Sequence, residues 1–370
     1  MLKAFRDEYN SIIDEVPNSK AIKTLISTAF TLDGRPLVLY GAAKVGKALI
    51  GICREHGIAV DCICDRAVTG VFEGVPVVAP EELREKHPNA VVIICSKAFG
   101  GEICAGLMEL GFSSDQIIPL PFEYPYCSSI KDFEPHLPGY EWAYGFFDDE
   151  RSKRLVLDKI RLILCDRGIE QNTECGLYYE CGLIELQDGE VFVDGGAFVG
   201  DSALEFLSKY GNRVCRPEVY SFEPDLTNYN KASVALSGIP EVTLIRKGLW
   251  NYETELSFSS GMGGRSSIVR RSGEDERRIQ VVTLDGFFRD KPEHGWPAFI
   301  KLDVEGAENE ALLGATEIIR RRKPKLAICA YHLTEDVYRL PQTISGIRDD
   351  YRYALRQHSP GCEDTVLYAV

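Results

Sequence analysis

The sequence has no apolar run approaching the roughly 18–20 residues that a bilayer-spanning helix needs. Its longest candidate, Ala90 to Cys95, is only strand-sized. There is no Cys-x-x-Cys pair among its 12 cysteines, so a paired zinc or redox motif is not expected. Several cysteines (Cys62, Cys64, Cys95, Cys329) lie inside apolar segments and read as buried free thiols. Basic residues are in deficit: 42 Lys and Arg face 56 Asp and Glu, for a net charge of −14. Such a chain has no general attraction to nucleic acid or to anionic membranes. Arg6, Asp7 and Glu8 stand where a signal peptide needs its apolar stretch, so export is not expected and the reading is cytoplasmic. What is present is material for two cores: 370 residues, 45% of them hydrophobic, exceed one ordinary domain.

Helix periodicity in Phe5, Tyr9, Ile12, Ile13 and Val16 ends at Pro17, and a second short helix runs from Lys20 to Phe30. Strands then alternate with helices. Pro36–Tyr40 is a strand, Gly41 to Gly46 a glycine turn, Lys47–His56 a helix, and Ala59–Cys64 a strand ending at Asp65. Val75–Val78 and Val91–Cys95 follow as strands, and Gly101–Leu110 as a helix. This alternation predicts a parallel sheet. Prolines 121, 125, 135 and 138 among aromatics mark a connector over residues 123–147. It separates a first domain (1–122) from a second (148–370).

In the second domain Val191–Asp194 is a strand, Gly195 to Gly200 a glycine turn, and Asp201–Tyr210 a helix. Glu218–Phe222 is a strand leading to Glu223, followed by a helix over Pro224–Leu236. Val242–Ile245 is a strand before Lys247-Gly248, and Phe299–Leu302 one running into Asp303. Gly306–Arg322 reads as one helix, Lys325–Ala330 as a strand. Tyr351–Leu355 and Thr365–Ala369 form a terminal antiparallel pair. Gly196 and Gly200 would let the backbone pass close to a ligand. The helix at Asp201 would aim free N–H groups at a carboxylate. Glu223 is an acid placed to accept ribose hydroxyls, as in dinucleotide folds. Asp303, Glu305 and Glu308 crowd one strand-to-helix corner; the helix dipole explains one or two such acids more easily than three.

Phe192-Val-Asp-Gly-Gly-Ala197 with Gly200-Asp201, Ser221-Phe-Glu-Pro-Asp225, Thr283-Leu-Asp285, Ile300 to Glu308 and Leu326 to Leu333 occur in this order. Together they resemble the FkbM family of S-adenosylmethionine-dependent methyltransferases over roughly residues 130–370. The resemblance implies an α/β protein with two Rossmann-like domains. The C-terminal one would be a class I methyltransferase-type, mostly parallel sheet with an antiparallel edge hairpin. It also implies methyl transfer from S-adenosyl-L-methionine to a hydroxyl, often of a sugar in a glycan or natural product. Cofactor contacts fall on Asp194, Gly196, Phe198, Gly200, Asp201, Glu223, Pro224, Gly248 and Asp303. Phe198 departs from the small or polar residue common at its place, and could pack on the cofactor.

A hydroxyl acceptor must lose its proton. His332 is the expected base, since an unperturbed imidazole titrates near 6.5; a strand-capping histidine is the plainer alternative. Asp303, Glu305 and Glu308 would orient His332 or the acceptor, and a divalent-metal site built from them is the less favoured alternative. Tyr178 and Tyr179 either lie over the cofactor or pack in the core. Arg265, Ser266 and Ser267 sit in a polar loop that could cover the acceptor or simply be surface. Arg320 to Lys323 complements a helix dipole rather than meeting nucleic acid.

In the first domain, Gly41-Ala-Ala-Lys-Val-Gly46 with Asp65 roughly 20 residues on matches a dinucleotide-type spacing. Ala48 stands where a phosphate-binding loop needs Ser or Thr. The unit either binds a nucleotide, with Lys44 and Lys47 near phosphate, or serves docking and homo-oligomer formation. The acceptor is expected to be a small molecule or glycan, with no nucleic acid or membrane partner. The alternatives are a nicotinamide-dependent oxidoreductase using the first domain, and a non-catalytic cofactor-binding scaffold.

Overall fold

Seven short apolar segments of the C-terminal half pair side by side into one sheet. In a computed structural model, residues 2–96, 99–119, 128–180, 182–210, 217–259, 267–268 and 277–370 are described. The sheet order is Tyr353–Gln357, Thr365–Ala369, Lys325–Cys329, Phe299–Leu302, Val191–Gly195, Glu218–Phe222, Val242–Ile245. The five strands from Lys325–Cys329 to Val242–Ile245 are parallel. Thr365–Ala369 is antiparallel to Lys325–Cys329 and to Tyr353–Gln357. Such central strands, covered on both faces, read as short uninterrupted apolar runs. Phe192 stacks on Phe206 and Phe299 with ring centroids 4.7 and 4.8 Å apart, at the centre of this core. Successive strands are added to one side of Val191–Gly195 (Glu218–Phe222, Val242–Ile245) and then to the other (Phe299–Leu302, Lys325–Cys329), so the strand order reverses there. That is the switch point at which open α/β sheets place ligands, outside the carboxyl ends of the strands.

The first sheet is built alike: Val71–Phe72, Val75–Val78, Cys62–Cys64, Leu37–Tyr40, Val91–Ile94, Ile117–Ile118. All its pairings are parallel except the edge pair Val71–Phe72 with Val75–Val78. The chain divides into two compact units, residues 1–145 with 156–169, and 146–155 with 170–370. The expected connector is helical over Ile130–Phe133 and Leu137–Phe146, where Phe133, Tyr140 and Ala143 are buried. Pro121 and Pro125 lie outside the described residues.

Some expected elements shift. The helix placed at Lys47–His56 begins at Lys44, so Gly46 lies inside it. A Cβ on Gly46 would stand 2.0 Å from the Gly41 carbonyl oxygen, so only glycine lets helix and turn approach this closely. The single helix expected over Gly306–Arg322 is two, Glu308–Leu313 and Thr316–Arg322. The break has a non-local cause. The Trp250 carbonyl oxygen would lie 2.0 Å from a Cβ on Gly314, and the Gly314 carbonyl accepts the Asp285 N–H. Cys53, Cys62, Cys64, Cys95, Cys165 and Cys329 are buried free thiols. Cys175 departs from the free-thiol expectation, being disulfide-bonded. No helix among the described residues is long and apolar enough to cross a membrane.

Candidate active site

Four parallel strands deliver their carboxyl ends to one edge: Gly195 into the glycine turn, Phe222 into Glu223, Leu302 into Asp303, and Cys329 toward His332. The turn itself is fixed by a buried ion pair. Lys301 Nζ lies 3.0 Å from Asp194 Oδ1 and donates to the Gly196 carbonyl at 2.7 Å. Ser221 Oγ donates to Asp194 Oδ2 at 3.3 Å. Lys301 and Asp194 are register partners on adjacent strands, with side chains 1% and 0% exposed. Burial alone would lower the Lys301 ammonium, but Asp194 and Asp303 together raise it above its ordinary value. Asp194, a candidate cofactor contact, is wholly buried and through Lys301 holds the backbone of the glycine turn.

Gly196 has φ +80°, and a Cβ there would stand 1.8 Å from the Asp303 carbonyl oxygen. Gly196→Ala is therefore expected to lose more than about 2 kcal/mol of stability, since neither the positive φ nor the contact can relax cheaply; chemical unfolding would show it. Gly200, at φ +88°, packs on the Leu236 side chain, which a Cβ would approach to 2.9 Å. Phe198 adopts a left-handed φ of 48° and is exposed. This is strained backbone for a bulky residue, and it is held by donation of its N–H to Glu223 Oε2 at 2.8 Å. Glu223 Oε1 accepts the Asp225 N–H at 2.9 Å. Burial pushes the Glu223 carboxyl up to about 7, against the pull of these two N–H groups. Asp201 is exposed in the first turn of the Asp201–Tyr210 helix. Gly248 is buried against the Pro224 ring, where a Cβ would come within 3.7 Å of it. Glycine turn, Glu223, Pro224 and Gly248 are thus brought together along one stretch of the sheet edge.

The acid corner lies beside it. Tyr178 donates to Asp303 Oδ2 at 2.8 Å and Tyr331 to Oδ1 at 3.3 Å. Burial alone would raise the Asp303 carboxyl, but Lys301, His332 and Tyr178 hold it below the usual carboxylate range. His332 Nε2 lies 3.4 Å from Asp303 Oδ1 and 3.7 Å from Glu305 Oε2, and its Nδ1 lies 2.9 Å from Glu308 Oε1. Glu308 Oε1 also accepts the Val304 N–H at 2.8 Å. Burial alone would lower the His332 imidazole, but Glu308, Asp303 and Glu305 outweigh it and raise the group to about 9. The three carboxylates around the ring thus favour its protonated form in the absence of any other cation. Tyr179 packs edge-on to Phe299 in the core, while Tyr178 serves Asp303. Lys301 and the Tyr178–Asp303 bond were not anticipated from sequence; the available signal was a lone lysine inside an apolar strand beside the Asp194 strand.

Arg265 and Ser266 lie outside the described residues. Arg321 ends its helix bonded to Glu317 and Glu293, as the dipole reading expects. In the first unit, Asp65 accepts the backbone N–H groups of Ala42, Ala67 and Val68. Its carboxylate thus serves its own turn, and Lys47 pairs with Glu73 at 3.0 Å.

A parallel sheet in this strand order, with a glycine turn at the switch point and an antiparallel edge, defines a Rossmann-like fold of the methyltransferase type. Residues 194–353 match the model of the methyltransferase FkbM domain. Over those residues the chain is similar to the FkbM methyltransferase domain. Its fold is similar to that of a methyltransferase FkbM from Methylobacillus flagellatus KT, at TM-score 0.60 and 23% identity, with 100% of each chain covered. Weaker likenesses include fibrillarin of Aeropyrum pernix, solved with S-adenosyl-L-methionine (TM-score 0.32, 14% identity, 51% of this chain and 70% of that one). Another is a precorrin-6y C5,15-methyltransferase of Geobacter metallireducens (TM-score 0.31, 13% identity, 50% and 81%). No curated protein matches the sequence.

Proposed function

We propose that the protein transfers a methyl group from S-adenosyl-L-methionine to a hydroxyl of a sugar-containing or related small-molecule acceptor. The carrying observation is the juxtaposition, on one sheet edge, of a glycine cradle with the buried Glu223 carboxylate and a second corner of carboxylates. Gly196 and Gly200 fit a closely approaching cofactor, and Glu223 fits its ribose hydroxyls. Held by the glycine turn and Glu223, the cofactor would supply an electrophilic sulfonium methyl, with the thioether as the leaving group. The chain's own residues align and deprotonate the acceptor. Asp303, locked by Tyr178, accepts the hydroxyl's hydrogen bond and fixes its direction, which contributes through proximity. Glu305, the most exposed of the three acids at 30%, takes the proton at a carboxylate oxygen.

Thermal unfolding with S-adenosylhomocysteine, S-adenosylmethionine and NAD tests the cofactor. Ligand at about 100 times its Kd adds about 2.7 kcal/mol, a shift of several degrees for a domain of this size. Radiolabelled methyl transfer to a panel of hydroxylated sugars then tests the acceptor class. A shift with NAD and none with the sulfur ligands would overturn the reading in favour of nicotinamide chemistry.

A further inference from the structure

We infer that Asp303, Glu308 and His332 bind one borderline divalent cation, of the manganese or zinc kind. Each of the three offers a ligand atom, and the three atoms lie within 4.8 Å of one another. Carboxylates alone at one corner would not make a site. The independent observation is the state of the buried polar atoms. Neither ring nitrogen of His332 is in hydrogen-bond geometry, although the side chain is 8% exposed, and the Nδ1 contact with Glu308 is close but misaligned. Glu308 Oε2, on a side chain 1% exposed, also has no hydrogen-bond partner. Buried polar atoms are nearly always satisfied. A buried imidazole and a buried carboxylate oxygen, both unpaired and both at the corner where Asp303 also offers an oxygen, are what a ligand set looks like before its ion is added.

The surroundings orient these groups as supporting bonds orient metal ligands. Tyr178 occupies Asp303 Oδ2, while Oδ1, which accepts a long bond from Tyr331 at 3.3 Å, faces His332. The Val304 N–H occupies Glu308 Oε1, leaving Oε2. The charge balance points the same way. Asp303, Glu305 and Glu308 crowd His332, while the nearby Lys301 is committed to Asp194. Buried carboxylates without compensating charge are costly. One imidazole with two carboxylates favours first-row ions over magnesium or calcium, which prefer all-oxygen sets. The ion's place in catalysis rests on the proposed methyl transfer: it would hold the acceptor hydroxyl and ease loss of its proton to Glu305. Its existence does not rest on that reading.

The test uses the full chain after chelator treatment, titrated with Mn2+ and followed by electron paramagnetic resonance and thermal unfolding, with Zn2+ as competitor. Expected are one Mn2+ per chain, displacement by Zn2+, and binding at least tenfold weaker in Glu308→Gln and in His332→Asn. S-adenosylhomocysteine binding, measured on each variant, reports that the fold persists. A chain that binds S-adenosylhomocysteine but takes up neither ion at 1 mM overturns the metal site and leaves the methyltransferase reading intact. Ion binding that is equal in wild type and in both folded variants also overturns it. Ion binding without any sulfur-ligand binding would sustain the site and sink the proposed cofactor.

Discussion

Lys301→Met is expected to destabilise the second unit by about 3–5 kcal/mol, the usual cost of removing one partner from a buried ion pair. The side chain is fully buried and methionine keeps much of its volume, so the loss is one of charge. Asp194 would lose its 3.0 Å partner and keep the Ser221 hydroxyl at 3.3 Å, and the Gly196 carbonyl would lose its 2.7 Å donor. Exchanging both members, Asp194→Asn with Lys301→Met, should recover a large part of the loss, because the desolvation of both charges disappears together. Urea unfolding of the two singles and the double gives the coupling directly. A single variant losing less than about 1 kcal/mol, or a double as unstable as the sum, would refute the assignment. The pH dependence has a definite sign. The folded-state value of Lys301 is raised, so its contribution is fully present below the unfolded lysine value near 10.4 and fades only in alkali. Across neutral pH the pair therefore holds the turn unchanged. The same pair makes Asp194→Ala a poor probe of cofactor contact, since the fold would fail before the ligand was lost.

The elements that the sequence announces best are those governed by local pattern. The strands at Glu218–Phe222, Val242–Ile245, Phe299–Leu302 and Thr365–Ala369 and the helix at Asp201–Tyr210 appear at their expected bounds. Each strand is a short apolar run between turn residues, and the helix opens on an acid straight after a glycine. What was missed depends on contacts distant in the chain. The helix Asp336–Ile347 contains Pro341, which reads as a stop, yet Val337, Leu340 and Ile344 keep one buried face. The short Leu284–Phe288 helix is announced only by its cap, Thr283 accepting the Gly286 N–H. A small sheet pairing Gly248–Leu249, Arg277–Val282, Thr254–Ser259 and Ser267–Ile268 was not foreseen. At the site, residue types and neighbourhood were legible: Asp303, Glu305, Glu308 and His332 do meet. Their electrostatic state was not. A histidine near 6.5 and a histidine near 9 share one letter, and three carboxylates arriving through the fold decide between them.

Glu223→Ala is expected to weaken S-adenosylhomocysteine binding by about 10- to 100-fold, since hydrogen bonds to a charged group contribute about 1.5–3 kcal/mol. The pH dependence separates this from a general loss of structure. Burial places the Glu223 carboxyl at about 7, so it is mostly protonated at pH 6 and mostly ionised at pH 8. Ribose hydroxyls donate best to the ionised form, and affinity should rise by up to about tenfold across that interval in the wild type. Stability of the ligand-free chain should move the other way. The folded-state value lies above the ordinary 4.5, so between about pH 4.5 and 7 the folded state holds the extra proton, and stability falls as pH rises through that window. Both slopes should flatten in Glu223→Gln, which keeps the side-chain volume and one acceptor for the Phe198 and Asp225 N–H groups. Titration calorimetry at pH 6, 7 and 8 with parallel urea unfolding gives both slopes. A Glu223→Gln chain that binds S-adenosylhomocysteine as wild type does, with the same pH trend, would remove the ribose from this carboxylate. The cofactor would then have to be held by the Gly196 cradle and its neighbours without an acid at the end of the second strand, an arrangement that leaves the buried carboxylate and the strained Phe198 backbone serving only each other.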